Sequence, residues 1–165
     1  EFFHGRVSKL SADRENTLTR IERALAAGEL ALYYQPRVDM KRGSVVGVEA
    51  LIRWIHPVRG LVLPGEFLPV VEGTEFVKPL GDWVTDTALT QLEAWRANGL
   101  DLAVSVNISP DHLKAPGFAV RLAEHLDHHP TVPPECLELE ILESTALDDL
   151  GHIDALGALA SRFDR

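Results

Sequence analysis

The stretch from Val45 to Trp54, Val-Val-Gly-Val-Glu-Ala-Leu-Ile-Arg-Trp, leaves few options for the fold. β-Branched and apolar residues run through it without proline and turn-forming residues flank it, so it reads as a buried β-strand. Alternation puts Val48, Ala50, Ile52 and Trp54 on one face and Glu49, Leu51 and Arg53 on the other. An acid and a guanidinium therefore point the same way from an otherwise apolar strand. Burying a charge costs on the order of several kcal/mol unless something compensates it. A structural ion pair would do so, and the stretch alone does not decide between that and a site.

The flanking sequence sets the class. The first dozen residues mix polar and aromatic types without period and read as the tail of a linker. A helix is expected from Asp13 to Ala27, with Leu18, Ile21 and Leu25 on one stripe and Gly28 as its stop. Leu30 to Val38 is a strand in which Pro36 marks an edge, a bulge or an end. Lys41-Arg42-Gly43-Ser44 reads as a hairpin turn, too short for a crossover, so the two strands should be antiparallel. A Pro- and Gly-rich loop from His56 to Gly65 leads to a short helix carrying Phe67, Val70 and Val71. A longer helix from Leu80 to Asn98 has Leu80, Val84, Ala88, Leu92 and Trp95 on one face. Strands at Leu102–Ile108 and Leu137–Leu142 then alternate with helices around Phe118–Leu126 and Leu147–Phe163. That order predicts an α/β fold with a mostly parallel sheet.

The chain has 165 residues, enough for a core of its own, and an apolar fraction of 45%. Its 16 basic and 25 acidic residues give a net charge of -9, which argues against a nucleic-acid polymer as partner. Small anions remain compatible, since local arginines, backbone groups or a metal suffice for them. No apolar run is long enough for a membrane span and no signal peptide is evident. The single cysteine, Cys136, excludes an internal disulfide and fits a reducing compartment; a cytoplasmic setting is expected, either free or as the cytoplasmic part of a membrane-anchored parent. The chain begins at Glu1 and its only methionine is Met40, so a piece of a longer protein is expected.

In parallel α/β folds, ligands bind beyond the carboxyl ends of the strands. Asn107 and Glu140 fall near such ends, and Glu49 lies on a strand able to converge with them. Two carboxylates and an amide oxygen form a hard donor set, better suited to magnesium, manganese or calcium than to zinc. His125, His128, His129 and Cys136 lack a paired ligand motif, so the histidines read as solvated and Cys136 as a core residue. Asp148 and Asp149 read as first-turn helix acids.

Several motifs together carry a family. Tyr33-Tyr34-Gln35-Pro36, Glu49-Ala50-Leu51 with Ile52-Arg53-Trp54, Phe67-Leu68-Pro69, Ser105-Val106-Asn107-Ile108-Ser109 and Leu137-Glu138-Leu139-Glu140-Ile141 occur in order between Ile21 and Phe163. The chain resembles the EAL family of cyclic di-GMP phosphodiesterases. The resemblance implies a (β/α)8 TIM-like barrel, here partial, with an antiparallel first strand. It also implies hydrolysis of cyclic di-GMP to linear pGpG with Mg2+ or Mn2+. Carried over by position, Glu49, Asn107 and Glu140 match metal ligands, with Glu49 central to catalysis. Gln35 and Arg53 match substrate contacts, and Glu143 matches an acid that orders a loop near the site. Leu142 departs from the threonine common at that point, and Gly73-Thr74-Glu75 departs from the commoner acidic and glycine pattern.

Family members continue with an Asp-Asp-Phe-Gly segment, a lysine that helps activate water, and further acidic and glutamine site residues. This chain stops at Arg165, so the isolated chain is expected to be inactive, with an incomplete two-metal site. It is also expected to self-associate through the incomplete barrel, and an upstream diguanylate cyclase or sensory domain is expected in the parent protein. The alternatives are a cyclic di-GMP sensor module without catalysis and a purely structural half-barrel.

Overall fold

A computed structural model describes the backbone of residues 2–141 and the side chains of residues 12–141. The expected helix at 147–163, and with it Glu143, Asp148 and Asp149, lies outside the described residues. The chain divides into two compact units, one formed by Glu1–Ala31 and Ile52–Phe76, the other by Leu32–Leu51 and the described residues from Val77 on.

The first unit opens with helix α1, Phe2–Ala26. The segment read as an aperiodic tail is thus helical from Phe2, because adding a residue to an existing helix costs far less than nucleating one and no proline intervenes. Ile21 and Ala24 are buried, and Gly28, at φ +69°, turns the chain out of the helix in the left-handed conformation that glycine tolerates. Helix α2, Pro64–Val71, packs on α1 and buries Phe67 and Val71. Arg14 donates from Nη2 to the carbonyl of Glu72 at 3.1 Å, placing a cation at the negative end of α2.

Within the loop expected between His56 and Gly65, residues Gly60–Val62 form a short strand, β3, against the end of β2, Ser44–His56. Trp54 pairs with Val62 and His56 with Gly60 in antiparallel register. Three residues are too few for a periodic signal, so the strand was hidden among turn residues. Glu29 organises this unit. Its Oε2 accepts from Trp54 Nε1 at 2.9 Å and from Arg20 Nη2 at 2.7 Å, and both hydrogen bonds hold its carboxyl below the usual range.

In the second unit the sheet carries the fold. Strand β1 is Leu30–Asp39, β4 is Val104–Ile108 and β5 is Leu137–Ile141, and the sheet order is β1-β2-β4-β5. Residues 40–43 connect β1 to β2, a length that only reverses the chain, so the first strand is antiparallel. Both β2·β4 and β4·β5 are parallel. Pro36 is accommodated because β1 ends the described strand order.

Helix α3, Val77–Ala97, starts one turn earlier than the apolar stripe indicates. Pro79 sits in its first turn, where a backbone N–H has no intrahelical partner to lose. The short helix α4, Pro110–Leu113, is capped by Ser109, which accepts from the Asp111 N–H, and α5 runs from Phe118 to His128. The core lies between α3, α5 and one sheet face: Val48, Ala50, Val104, Val106 and Ile108 meet Ala88, Leu89, Leu92, Phe118, Leu122 and Leu126. Tyr34 packs edge-on against Trp95, and burial pushes its hydroxyl pKa up to about 12. The opposite face of the sheet carries the polar residues.

Candidate functional site

Strand alternation that buries Val104, Val106 and Ile108 under the helices turns Ser105 and Asn107 the other way. Parallel register aligns the neighbours. Glu49 pairs with Ser105 across β2 and β4, while Ser105 pairs with Glu138 and Asn107 with Glu140 across β4 and β5. Asn107 donates from Nδ2 to Glu49 Oε1 at 2.9 Å. Glu49, Asn107 and Glu140, expected from the sequence to act together, thus lie on one face of three adjacent strands, with Asn107 and Glu140 at the carboxyl ends of β4 and β5.

The sequence reading missed the residue that ties this face together. Arg37 on β1 donates from Nη2 to Glu138 Oε2 at 2.5 Å and from Nη1 to Glu140 Oε1 at 3.1 Å, and its Nη1 lies 3.5 Å from Ser105 Oγ. Two strands separate β1 from β5, and neighbouring strands lie about 4.8 Å apart, so a flat sheet would leave these side chains out of reach. The sheet of this unit is therefore curled toward its carboxylate face, as a barrel wall is. Glu138 hydrogen-bonds Arg37 and, with the nearby charges of Glu140 and Glu49, raises the guanidinium's pKa above its ordinary value. Arg37 shares a strand face with Gln35, two residues back, so the period-2 pattern contained a signal for it.

Gln35 is exposed on β1. Arg53 belongs to the first unit, where its Nη1 donates to the Ile52 carbonyl at 2.9 Å. Among the described residues, no three Asp, Glu, His or Cys side chains form a ready-made metal cluster. The oxygen set here is instead two carboxylates and an amide. With Asn107 Nδ2 engaged by Glu49, the amide oxygen is the atom suited to a cation, and Arg37 engages Glu140 through Oε1. The donor chemistry fits a hard divalent ion.

Of the histidines read as solvated, His128 is exposed, but His125 is half-buried and His129 buried. His112 is buried, and its Nε2 donates to Asp82 Oδ1 at 3.0 Å. His129 is also buried, with Nε2 3.1 Å from Asp86 Oδ1 and Nδ1 3.0 Å from Glu93 Oε2, and His125 Nδ1 lies 3.5 Å from Asp86. Asp82, Asp86 and Glu93 form a stripe on α3 that these side chains meet from α4, α5 and the loop beyond α5. The stripe is local in the sequence but what faces it is not; of His112, His125, His128 and His129, His128 alone is exposed. Cys136 packs against the core, as expected, and burial pushes its thiol pKa up.

A mostly parallel α/β sheet, curled, with carboxylates and an amide along its concave face, is the kind of wall on which barrel enzymes hold cations and phosphates. The sequence profile of the EAL domain matches residues 18–162, and the chain belongs to the EAL domain family. It is 38% identical over 143 residues to the cyclic di-GMP phosphodiesterase PA2567 of Pseudomonas aeruginosa, a match covering 84% of this chain and 24% of that protein. It is 36% identical over 149 residues to the bifunctional diguanylate cyclase/cyclic di-GMP phosphodiesterase MucR of the same organism, covering 90% and 22%. The chain thus spans less than a quarter of either relative.

Among solved structures, the PaMucR phosphodiesterase in its c-di-GMP complex superposes with a TM-score of 0.82 at 36% identity, over 88% of this chain and 60% of that one. The cGMP-bound EAL enzyme Bd1971 gives 0.84 at 30%, over 94% and 44%. The fold is accordingly that of an EAL domain, part of a TIM-like barrel. Among the described residues, no helix is long and apolar enough to cross a membrane.

Proposed function

We propose that this chain supplies one wall of the active site of a divalent-metal phosphodiesterase that opens cyclic di-GMP to linear pGpG. The observation that carries the reading is the Asn107–Glu49 hydrogen bond beside the register-paired Asn107 and Glu140, on a curled parallel sheet. Membership of a family with phosphodiesterase relatives supports it.

In this reading Glu49, Asn107 and Glu140 hold Mg2+ or Mn2+. Bound there, the ion would lower the pKa of a water and neutralise charge building on the phosphoryl oxygens. The protein's own groups do the rest. Asn107 fixes the carboxylate of Glu49 through its amide N–H, so that the two side chains keep one relative orientation. Arg37 holds Glu140 from below by one oxygen. Arg53 offers a planar fork of donors to a phosphate, and Gln35 offers an amide to the nucleotide. The family resemblance assigns Glu143 to ordering a neighbouring loop. The bifunctional relative MucR supports a diguanylate cyclase domain as a neighbour of this domain in the parent protein.

The test is turnover by the intact protein, followed by separation of cyclic di-GMP from pGpG. Conversion that requires Mg2+ or Mn2+ and is lost in Glu49→Gln supports the reading. Binding of cyclic di-GMP without conversion by the intact protein favours a sensor module instead.

A further inference from the structure

Arg37 raises a question that the metal-site reading leaves open. The ion pairs it makes are partly solvated, with side-chain exposures of 36% for Arg37, 43% for Glu138 and 41% for Glu140. Pairs of this kind contribute only about 0–1 kcal/mol each to stability. Yet the fold keeps a path open for the guanidinium. A Cβ added at Gly47 on β2 would stand 3.3 Å from Arg37 Nη2 and 3.0 Å from the Ala103 carbonyl. Gly47 is not in the left-handed region, so its role is to leave space and not to free the backbone. Through that gap the side chain passes from β1 to the carboxylates of β5.

Resting on the reading that Glu49, Asn107 and Glu140 hold the cation, we propose that Arg37 is a tethered counter-ion that sets the cation affinity of this face. It is a positioning residue acting through Glu140. One guanidinium nitrogen takes Glu140 Oε1 and leaves Oε2 as that carboxylate's donor for the ion, while its charge offsets part of the field of Glu49, Glu138 and Glu140. The bare site is thereby kept a weak binder of divalent ions, and full occupancy needs the added negative charge of a phosphodiester. Glu138 has a separate part: it shares the guanidinium and so draws positive charge away from Glu140.

Mn2+ titration of the intact protein by calorimetry, without nucleotide, tests this. Replacing Arg37 by methionine removes the charge but fills the gap above Gly47, and R37M is expected to bind Mn2+ about tenfold more tightly than wild type. R37K, which keeps the charge, is expected to stay near wild type, and E138Q, which leaves Arg37 wholly to Glu140, to bind more weakly. A merely structural role would not tighten metal binding. Equal or weaker binding by R37M than by wild type, with wild-type binding lost in Glu140→Ala, overturns the role of Arg37 alone. Failure of wild type and all variants to bind Mn2+ overturns the metal reading as well. If R37M does not fold, the R37K and E138Q pair decides by the same signs.

Discussion

Asn107 and Glu49, separated by 58 positions in the chain, meet through a single hydrogen bond of 2.9 Å from the amide Nδ2 to the carboxylate Oε1. The bond crosses between adjacent parallel strands and settles which end of the amide faces the acid. An aspartate at 107 would set two carboxylates against each other without a proton to share.

For this pair, Asn107→Ala removes the donor to Glu49 and, in the proposed reading, a ligand oxygen as well. Loss of a group that merely orients a ligand typically costs about 10–100-fold in affinity or activity, and loss of the ligand itself is expected to cost at least as much. Metal-dependent turnover of cyclic di-GMP in Asn107→Ala should therefore fall by at least that factor while thermal stability stays near wild type. Unchanged turnover would remove Asn107 from the site.

Arg53 is proposed as a substrate contact from its place in the family motif, and its planar donors, which lysine cannot reproduce, suit a phosphate. Arg53→Lys is expected to raise KM for cyclic di-GMP by about tenfold, a loss of ~1.4 kcal/mol, with a smaller change in kcat. A wild-type KM in this variant would contradict the assignment.

Gly81 on α3 lies against the buried imidazole of His112. A Cβ there would come within 2.1 Å of His112 Nδ1. His112 is fixed by Asp82 at 3.0 Å and stacks edge-on to Phe118 at 4.9 Å, so it has little room to yield. Gly81→Ala should lower unfolding free energy by about 1–3 kcal/mol in urea titrations, and His112→Ala should be less damaging in that background than alone. A Gly81→Ala protein as stable as wild type would show that the contact relaxes freely.

His129 faces carboxylates at both ring nitrogens, Asp86 and Glu93 on α3, with His125 also against Asp86. Burial pushes its pKa down, but the hydrogen bonds and charges of Glu93 and Asp86 outweigh burial, and the net pKa is raised above 6.5. A histidine raised on folding adds stability that is fully present below its unfolded pKa and lost as pH rises through the folded one. Wild type should thus exceed His129→Gln in Tm by about 2–4 °C below pH ~6, after allowing for solvent screening at Asp86, with the gap closing above neutral pH. His112 opposes this trend, because burial lowers its pKa and acidification then charges it at a cost. Comparing wild type with His129→Gln isolates the first effect, and a gap that widened with pH would contradict it.

The longer strands were legible because burial on one face imposes a period of two, and the same period placed Glu49, Asn107 and Glu140 off the core face. Arg37 was not legible as their partner. Its carboxylates lie 101 and 103 positions away, and the contact needs both the curl of the sheet and the missing side chain at Gly47. His125 and His129 were misread for a similar reason: the acid stripe of α3 is local, whereas what meets it comes from other elements. At the amino terminus, α1 extends over residues that have no apolar stripe, because helix propagation needs none.

The central claim is that Glu49, Asn107 and Glu140 form a shared cation and phosphate wall, and calorimetric titration of the intact protein with cyclic di-GMP, with and without Mn2+, tests it most directly. Binding should tighten when Mn2+ is present, and the gain should vanish in Glu49→Ala. An affinity for cyclic di-GMP that is the same with and without the metal, or a metal gain that survives Glu49→Ala, would contradict it.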